Sequence, residues 1–210
     1  GGGGHAGIIL DCIKAQGEYE IIGYSDKAKG NLSKEKVKYM GNLKELSYKL
    51  KEKANKKTFL TIAIGENYIR KKIYEYLKKN VSDLKWGTIV HPSASISSRV
   101  KIGEGSQILN GSILCYKTVI SKHVCINTGA IIDHDNFFDD FSSAGPGACT
   151  GGNVKVGKLC FLGINSSVKH NIRINENTVI GANSFVNFNC KANSLYFGTP
   201  AKKIKNRKKD

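Results

Sequence analysis

No apolar run in this chain approaches the roughly 18 residues that a membrane-spanning helix needs, and no leader-like segment opens it. Neither a membrane span nor export is therefore expected, and a cytoplasmic location is. The six cysteines include no C-x-x-C pair. For Cys160 and Cys190 a structural role is expected over metal binding or disulfides, and reduced thiols suit a cytoplasmic protein. Arginine is scarce, supplying only four of the 33 basic residues. The net charge of +16 comes from thinly spread lysines, with runs at 49–57 and 202–209. No aromatics interleave with them as in a nucleic-acid platform, so nucleic acid is not an expected partner. A solvated surface whose field draws anionic, polyphosphate small molecules is expected instead.

What the chain does contain is a six-residue period. Residues 90–191 divide into seventeen hexads without an insertion, and sixteen of the seventeen first residues are apolar, from Val90, Ile96 and Ile102 to Ile174, Ile180 and Val186. A 40% apolar composition would give about seven. The fifth residue is mostly small or β-branched (Ala94, Val100, Ser106, Thr118, Ala148, Cys160), and Asn136 and Ile172 are the loosest fits. Such a period is neither helical nor simple strand alternation. It fits a short strand plus a corner, with each strand stacking on the one three hexads later. The expected fold is a parallel β-helix of triangular section with a little under six coils. Each inward Ile, Leu or Val contributes roughly 1.5–3 kcal/mol by burial, which offsets the ordering of a repetitive backbone. Periodicity leaves the handedness open.

Ahead of the repeats stands Gly1-Gly2-Gly3-Gly4-His5-Ala6-Gly7, then a helical run over 8–15, a strand over 19–24 and Asp26. A glycine turn feeding a helix offers backbone N–H groups to phosphates, and an acidic residue about 20 positions on can bind a ribose hydroxyl. The strand that should precede such a turn is absent from this numbering. A Lys-rich helix over 42–53, a buried strand over 58–65 and an amphipathic helix over 66–79 complete a small βαβαβ unit. The expected division is a Rossmann-like α/β domain over 1–86 and a β-helix with a basic tail over 87–210.

Four segments then occur in order: Gly-Gly-Gly-Gly-His-Ala (1–6), Ile-Ala-Ile-Gly-Glu-Asn with Arg70 (62–70), Asn-Thr-Gly-Ala-Ile-Ile-Asp-His-Asp (127–135) and Gly-Thr-Pro-Ala-Lys (198–202). Over residues 1–202 the chain resembles the PglD/NeuD family of sugar O- and N-acetyltransferases. The resemblance implies a left-handed β-helix, a homotrimer, and transfer of acetyl from acetyl-CoA to the amine of a nucleotide-linked 4-amino-deoxysugar for surface glycan or glycoprotein synthesis. Within the family a hydroxyl acceptor, as in sialic-acid O-acetylation, stays open. Outside it, so does a non-catalytic β-helix that binds nucleotide or nucleic acid.

Acetyl transfer from a thioester asks for donor placement, proton removal and oxyanion stabilisation. His134, third in its hexad, should face outward, where a neutral imidazole is available. The resemblance marks it as the base, steadied by Asp135 or, less so, Asp133; the family usually has Glu after the histidine, so Asp135 is a shorter substitute. Asn127 either lies near the site or merely turns a corner. For acetyl-CoA, in a groove between two prisms, the resemblance suggests Gly145, Gly152, Gly163, Ile164, Gly181 and Ala182, with Pro200 near adenine and Lys202 near phosphate. Ser143 stands where a second histidine commonly contacts the donor. For the acceptor it points to His5, Asp26, Lys27, Gly65, Asn67 and Arg70 on loops of the small domain. His91, His123 and His170 match no motif and are expected at the surface; no metal site is expected.

Overall fold

Two-residue strands alternate with four-residue corners from Ile89–Val90 to Phe185–Val186. Each strand up to Ser167–Val168 pairs in parallel with the one eighteen residues on, so Ile108 lies beside Ile126 and Ile126 beside Ala144. Three flat faces result, here called A, B and C, starting at Ile89–Val90, Ser95–Ile96 and Lys101–Ile102. The structure, a computed structural model describing residues 1–52 and 57–208, is a left-handed parallel β-helix of about six turns. Parts of both basic runs, Lys53, Lys56 and Lys209 among them, lie outside the described residues. The first residues of the hexads form the core: Ile108, Ile126, Ile132, Phe138, Leu162, Ile174 and Ile180 are wholly buried. The fifth residues, among them Ser106, Val124, Ala130 and Cys160, close the corners beneath them.

The fourth residue of the hexad carries a constraint that the apolar pattern does not reveal. It is left-handed at Gly105, Gly111, Gly129 and Gly147, and also at His123, Asp135, Asn153, Asn165, Asn171, Asn177 and Asn183. That conformation costs an ordinary L-residue roughly 1–2 kcal/mol, and glycine and asparagine bear it best. Asparagine at 165, 171, 177 and 183 is therefore a corner signal in its own right.

The N-terminal α/β region packs on face A. Helix α1 (Gly4–Gln16) lays Ile9 and Cys12 against Ile89, Leu109 and Cys125. Helix α2 spans Leu43–Glu52, and α3 spans Asn67–Asn80. The strand expected over 19–24 is reduced to one parallel bridge, Tyr24 to Tyr39, and Phe59–Leu60 pairs with Lys85–Trp86. Residues 19–23 find no ladder partner among the described residues.

Asn67 and Arg70 are not on an acceptor loop. They form the first turn of α3 and are 6% and 1% exposed. The guanidinium donates to the carbonyls of Ile64 and Gly65, to Asn67 Oδ1, and across the junction to the carbonyls of His123, Phe141 and Ser142 and to Ser143 Oγ, at 2.9–3.4 Å. Asn67 Nδ2 donates to the carbonyls of Leu159 and Cys160. Both side chains dock the α/β region onto the prism, because a helix end laid on a coil rim must satisfy that rim's carbonyls.

His123 is likewise no surface residue. It is 1% exposed, stacked on Phe141 at 5.1 Å with the planes 3° apart, and edge-on to Trp86 at 4.8 Å, with Tyr74 alongside. Burial first, and the Arg70 charge next, push its pKa down to about 4, against smaller upward pulls from Glu104 and Asp140. A buried neutral histidine must take a proton to unfold in mild acid, so this stability is complete above about pH 6.5 and is lost as pH falls toward 4. Expected is a loss of up to roughly 3 kcal/mol across that window, read by urea unfolding at pH 7 and pH 4.5. In His123→Phe this contribution should vanish; an unchanged pH slope in that variant would refute it.

Candidate active site

The site is built at the corner between faces B and C. Ile131–Ile132 ends face B there and Phe137–Phe138 begins face C, leaving Asp133 to Asn136 for the turn. Asp135 takes the left-handed position at φ 56°. That bend returns its carboxylate to the preceding ring, and Asp135 Oδ2 lies 2.8 Å from His134 Nδ1. Asp133 acts on the backbone instead. Its Oδ1 accepts from the His134 N–H at 2.7 Å, pinning the start of the turn. Both side chains of the His134–Asp135 pair are about half exposed. The bond from Asp135 raises the imidazole pKa above its ordinary value, with Asp133 adding to it.

Asn136, the poor hexad fit, explains itself here. It is 1% exposed, and its Nδ2 donates to the carbonyls of Asp133, His134 and Gly151 at 2.8–3.2 Å. It ties the histidine turn to the coil below from inside the prism. The misfit was the signal.

Face B separates two columns of corners. Asn127, Gly145, Gly163 and Gly181 begin successive corners on one side, with Ile164 and Ala182 next in their turns; His134 and Gly152 lie on the other side. Asn127 Oδ1 accepts from the Thr128 N–H, a corner bond. A Cβ at Gly145 or Gly163 would stand within 2.6–2.8 Å of the next coil's backbone, so tight stacking alone requires these glycines. The segment holding Pro200 closes the C-terminal end of face B, where the Ala201 N–H donates to the Phe185 carbonyl at 2.7 Å. Lys202 follows, exposed, in the last strand, Lys202–Asn206. Ser143 does not join this group. It lies on face A, 3% exposed, and its hydroxyl donates to Asn67 Oδ1 at 2.6 Å, so it belongs to the docking cluster.

A second cluster surrounds the N-terminus of α1. Gly3 and Gly4 face open space. Asp26 Oδ2 accepts from the Gly2 N–H at 2.6 Å and Oδ1 from the Lys27 N–H, while the Lys27 side chain is exposed. Gly65 lies beside the His5 ring. Gln107 of face A, missed in the sequence, fixes that ring. Its Nε2 donates to Thr61 Oγ1 and the Ile62 carbonyl, which leaves Oε1 to face His5 Nε2 at 3.1 Å. Nε2 of His5 therefore carries the proton and Nδ1 is the free acceptor. Burial lowers the pKa of His5, which keeps that ring neutral.

A prism with an outward His–Asp pair on one flank and a glycine-opened α/β unit on another defines the left-handed β-helix class of acetyltransferase type. The family model of the PglD N-terminal domain matches residues 1–77. The chain belongs to the PglD family. It is 30% identical to a perosamine N-acetyltransferase from Caulobacter crescentus, a histidine-to-asparagine variant solved with CoA and GDP-perosamine; the match covers 98% of this chain and 95% of that one, with a TM-score of 0.88. The acetyltransferase domain of PglB from Neisseria gonorrhoeae, in complex with acetyl coenzyme A, is 26% identical over 97% of this chain and 96% of that one, with a TM-score of 0.87. A UDP-N-acetylbacillosamine N-acetyltransferase of Bacillus subtilis is 32% identical over 109 residues, 52% of this chain, and the chain spans about half (49%) of that relative. Among the described residues no cluster could hold a metal, and no helix is long and apolar enough to cross a membrane.

Proposed function

We propose that the protein transfers the acetyl group of acetyl-CoA to the amine of a nucleotide-linked 4-amino-deoxysugar, with His134 as general base. The observation that carries this is the outward His134–Asp135 pair at 2.8 Å on the prism flank. The amine nitrogen attacks the thioester carbonyl, and the carbonyl oxygen takes the negative charge. His134 Nε2 accepts the amine proton, Asp135 steadies the imidazolium, the C–S bond breaks and the proton passes to the departing thiolate. Relatives solved with CoA, acetyl coenzyme A or GDP-perosamine support this choice of donor and acceptor.

The donor would run along face B, past Gly145, Gly163, Ile164, Gly181 and Ala182, toward Pro200 and Lys202. The acceptor's phosphates would meet the open α1 N-terminus, with His5, Asp26, Lys27 and Gly65 around the rest. The acceptor cluster lies against face A and His134 on the corner between faces B and C, so a site that joins them would take two copies of the chain. A homotrimer would provide that, and the exposed Ile113, Ile131, Tyr116 and Phe137 offer an apolar surface for it. The test is free-thiol release from acetyl-CoA against UDP-, dTDP- and GDP-linked amino sugars. Release with an amino sugar and none with its hydroxyl analogue is expected; the reverse would favour O-acetylation.

A further inference from the structure

Gly152 has no stereochemical need to be glycine. Its backbone lies outside the left-handed region, and its neighbours in that corner are Gly151 and the left-handed Asn153. Gly151 is accounted for otherwise, since a Cβ there would meet the backbone of His170 at 2.8 Å. At Gly152 a Cβ would meet something else: the imidazole of His134, 2.5 Å from both Cε1 and Nε2. Gly152 is buried, although it sits on the outer corner of the prism, because the ring of the coil above lies on it.

We infer that Gly152 is the seat of His134, a positioning residue that sets the tilt of the imidazole through the absence of a side chain. Three supports then hold the ring. Asp135 fixes Nδ1 from one side, the Asn136 amide and the Asn153 N–H hold the turn's carbonyls from below, and the flat Cα of Gly152 carries the edge bearing Nε2. Nε2 is the nitrogen left to meet the reacting amine. A methyl group at 152 forces the contact to open. Since the ring is half exposed, its easiest escape is a rotation outward, which leaves the prism intact and misplaces the base. A displacement of about 1 Å in a catalytic group can lower a rate by about 10²-fold.

This inference rests on His134 being the base, and a double-mutant design separates the two ideas. Gly152→Ala should fold with an unchanged melting temperature and lose about 10- to 100-fold in kcat, with KM for acetyl-CoA within about twofold of wild type. Added to His134→Ala, the same change should have no further effect, because no ring remains to displace. The imidazole resonances of His134 should also shift in Gly152→Ala, which a purely structural role at 152 would not require. If Gly152→Ala retains the wild-type kcat, the seat is refuted. If it instead raises KM for acetyl-CoA and stays harmful in the His134→Ala background, Gly152 serves the donor and the seat is likewise refuted. If His134→Ala alone is fully active, the reading of His134 as base fails first.

Discussion

Replacing His134 by alanine should lower kcat by about 10²–10⁴-fold, the usual contribution of a positioned general base. The effect should fall on kcat rather than on KM, because the ring is half exposed and bonds only within its own turn. Stability should stay within about 0.5 kcal/mol of wild type, since no core contact is removed. Asp135→Asn gives the complementary result. The wild-type imidazole pKa is raised first by the Asp135 bond, so activity fails in acid as that ring takes up its proton. With the carboxylate neutralised, the acid limb of kcat/KM should move to lower pH while the maximal rate drops. Wild-type turnover by His134→Ala, or an acid limb unmoved in Asp135→Asn, would remove the dyad from the mechanism.

The largest stability effect is expected at Arg70. Arg70→Met keeps the helix propensity but leaves the carbonyls of Ile64, Gly65, His123, Phe141 and Ser142 without this donor, the last three of them in buried bonds. Each buried acceptor so stranded costs about 1–3 kcal/mol where water cannot replace the donor. A total near 3–5 kcal/mol is expected, confined to the α/β region and its seat on face A. The prism has its own core, so a single thermal transition should split in two, and proteolysis should appear between 81 and 88. Arg70→Lys should recover only part, because one ammonium offers three donors and cannot span both sides of the junction. A single transition within about 1 kcal/mol of wild type for Arg70→Met would show that the clamp contributes little.

The β-helix was legible because its signal is local and repeated: one inward residue every six, each meeting the same surroundings. The outward place of His134 was legible for a related reason, since the third place of a hexad lies on a corner. Asn67, Arg70, Ser143 and His123 were misread because their surroundings come from far along the chain. Arg70 meets Ser143 across 73 residues. An arginine that a resemblance places among acceptor-binding residues looks free for a ligand until the surface opposite it is known, and the fourth-place histidine looks solvated until α3 covers it. Gln107 and Asn136 were hidden differently: Asn136 is a polar residue at a fifth place that favours small or β-branched ones, Gln107 holds a sixth place with no fixed character, and each marks where one segment is tied to another.

The clamp at Arg70 also bears on how such a protein can change over time. Three of the four acceptors that it meets across the junction are main-chain oxygens, present whatever side chains the coils carry. Recognition of this sort survives substitution in the rim it grips. An α/β unit that keeps the guanidinium could be grafted onto a prism of unrelated coil sequence and still find its footing.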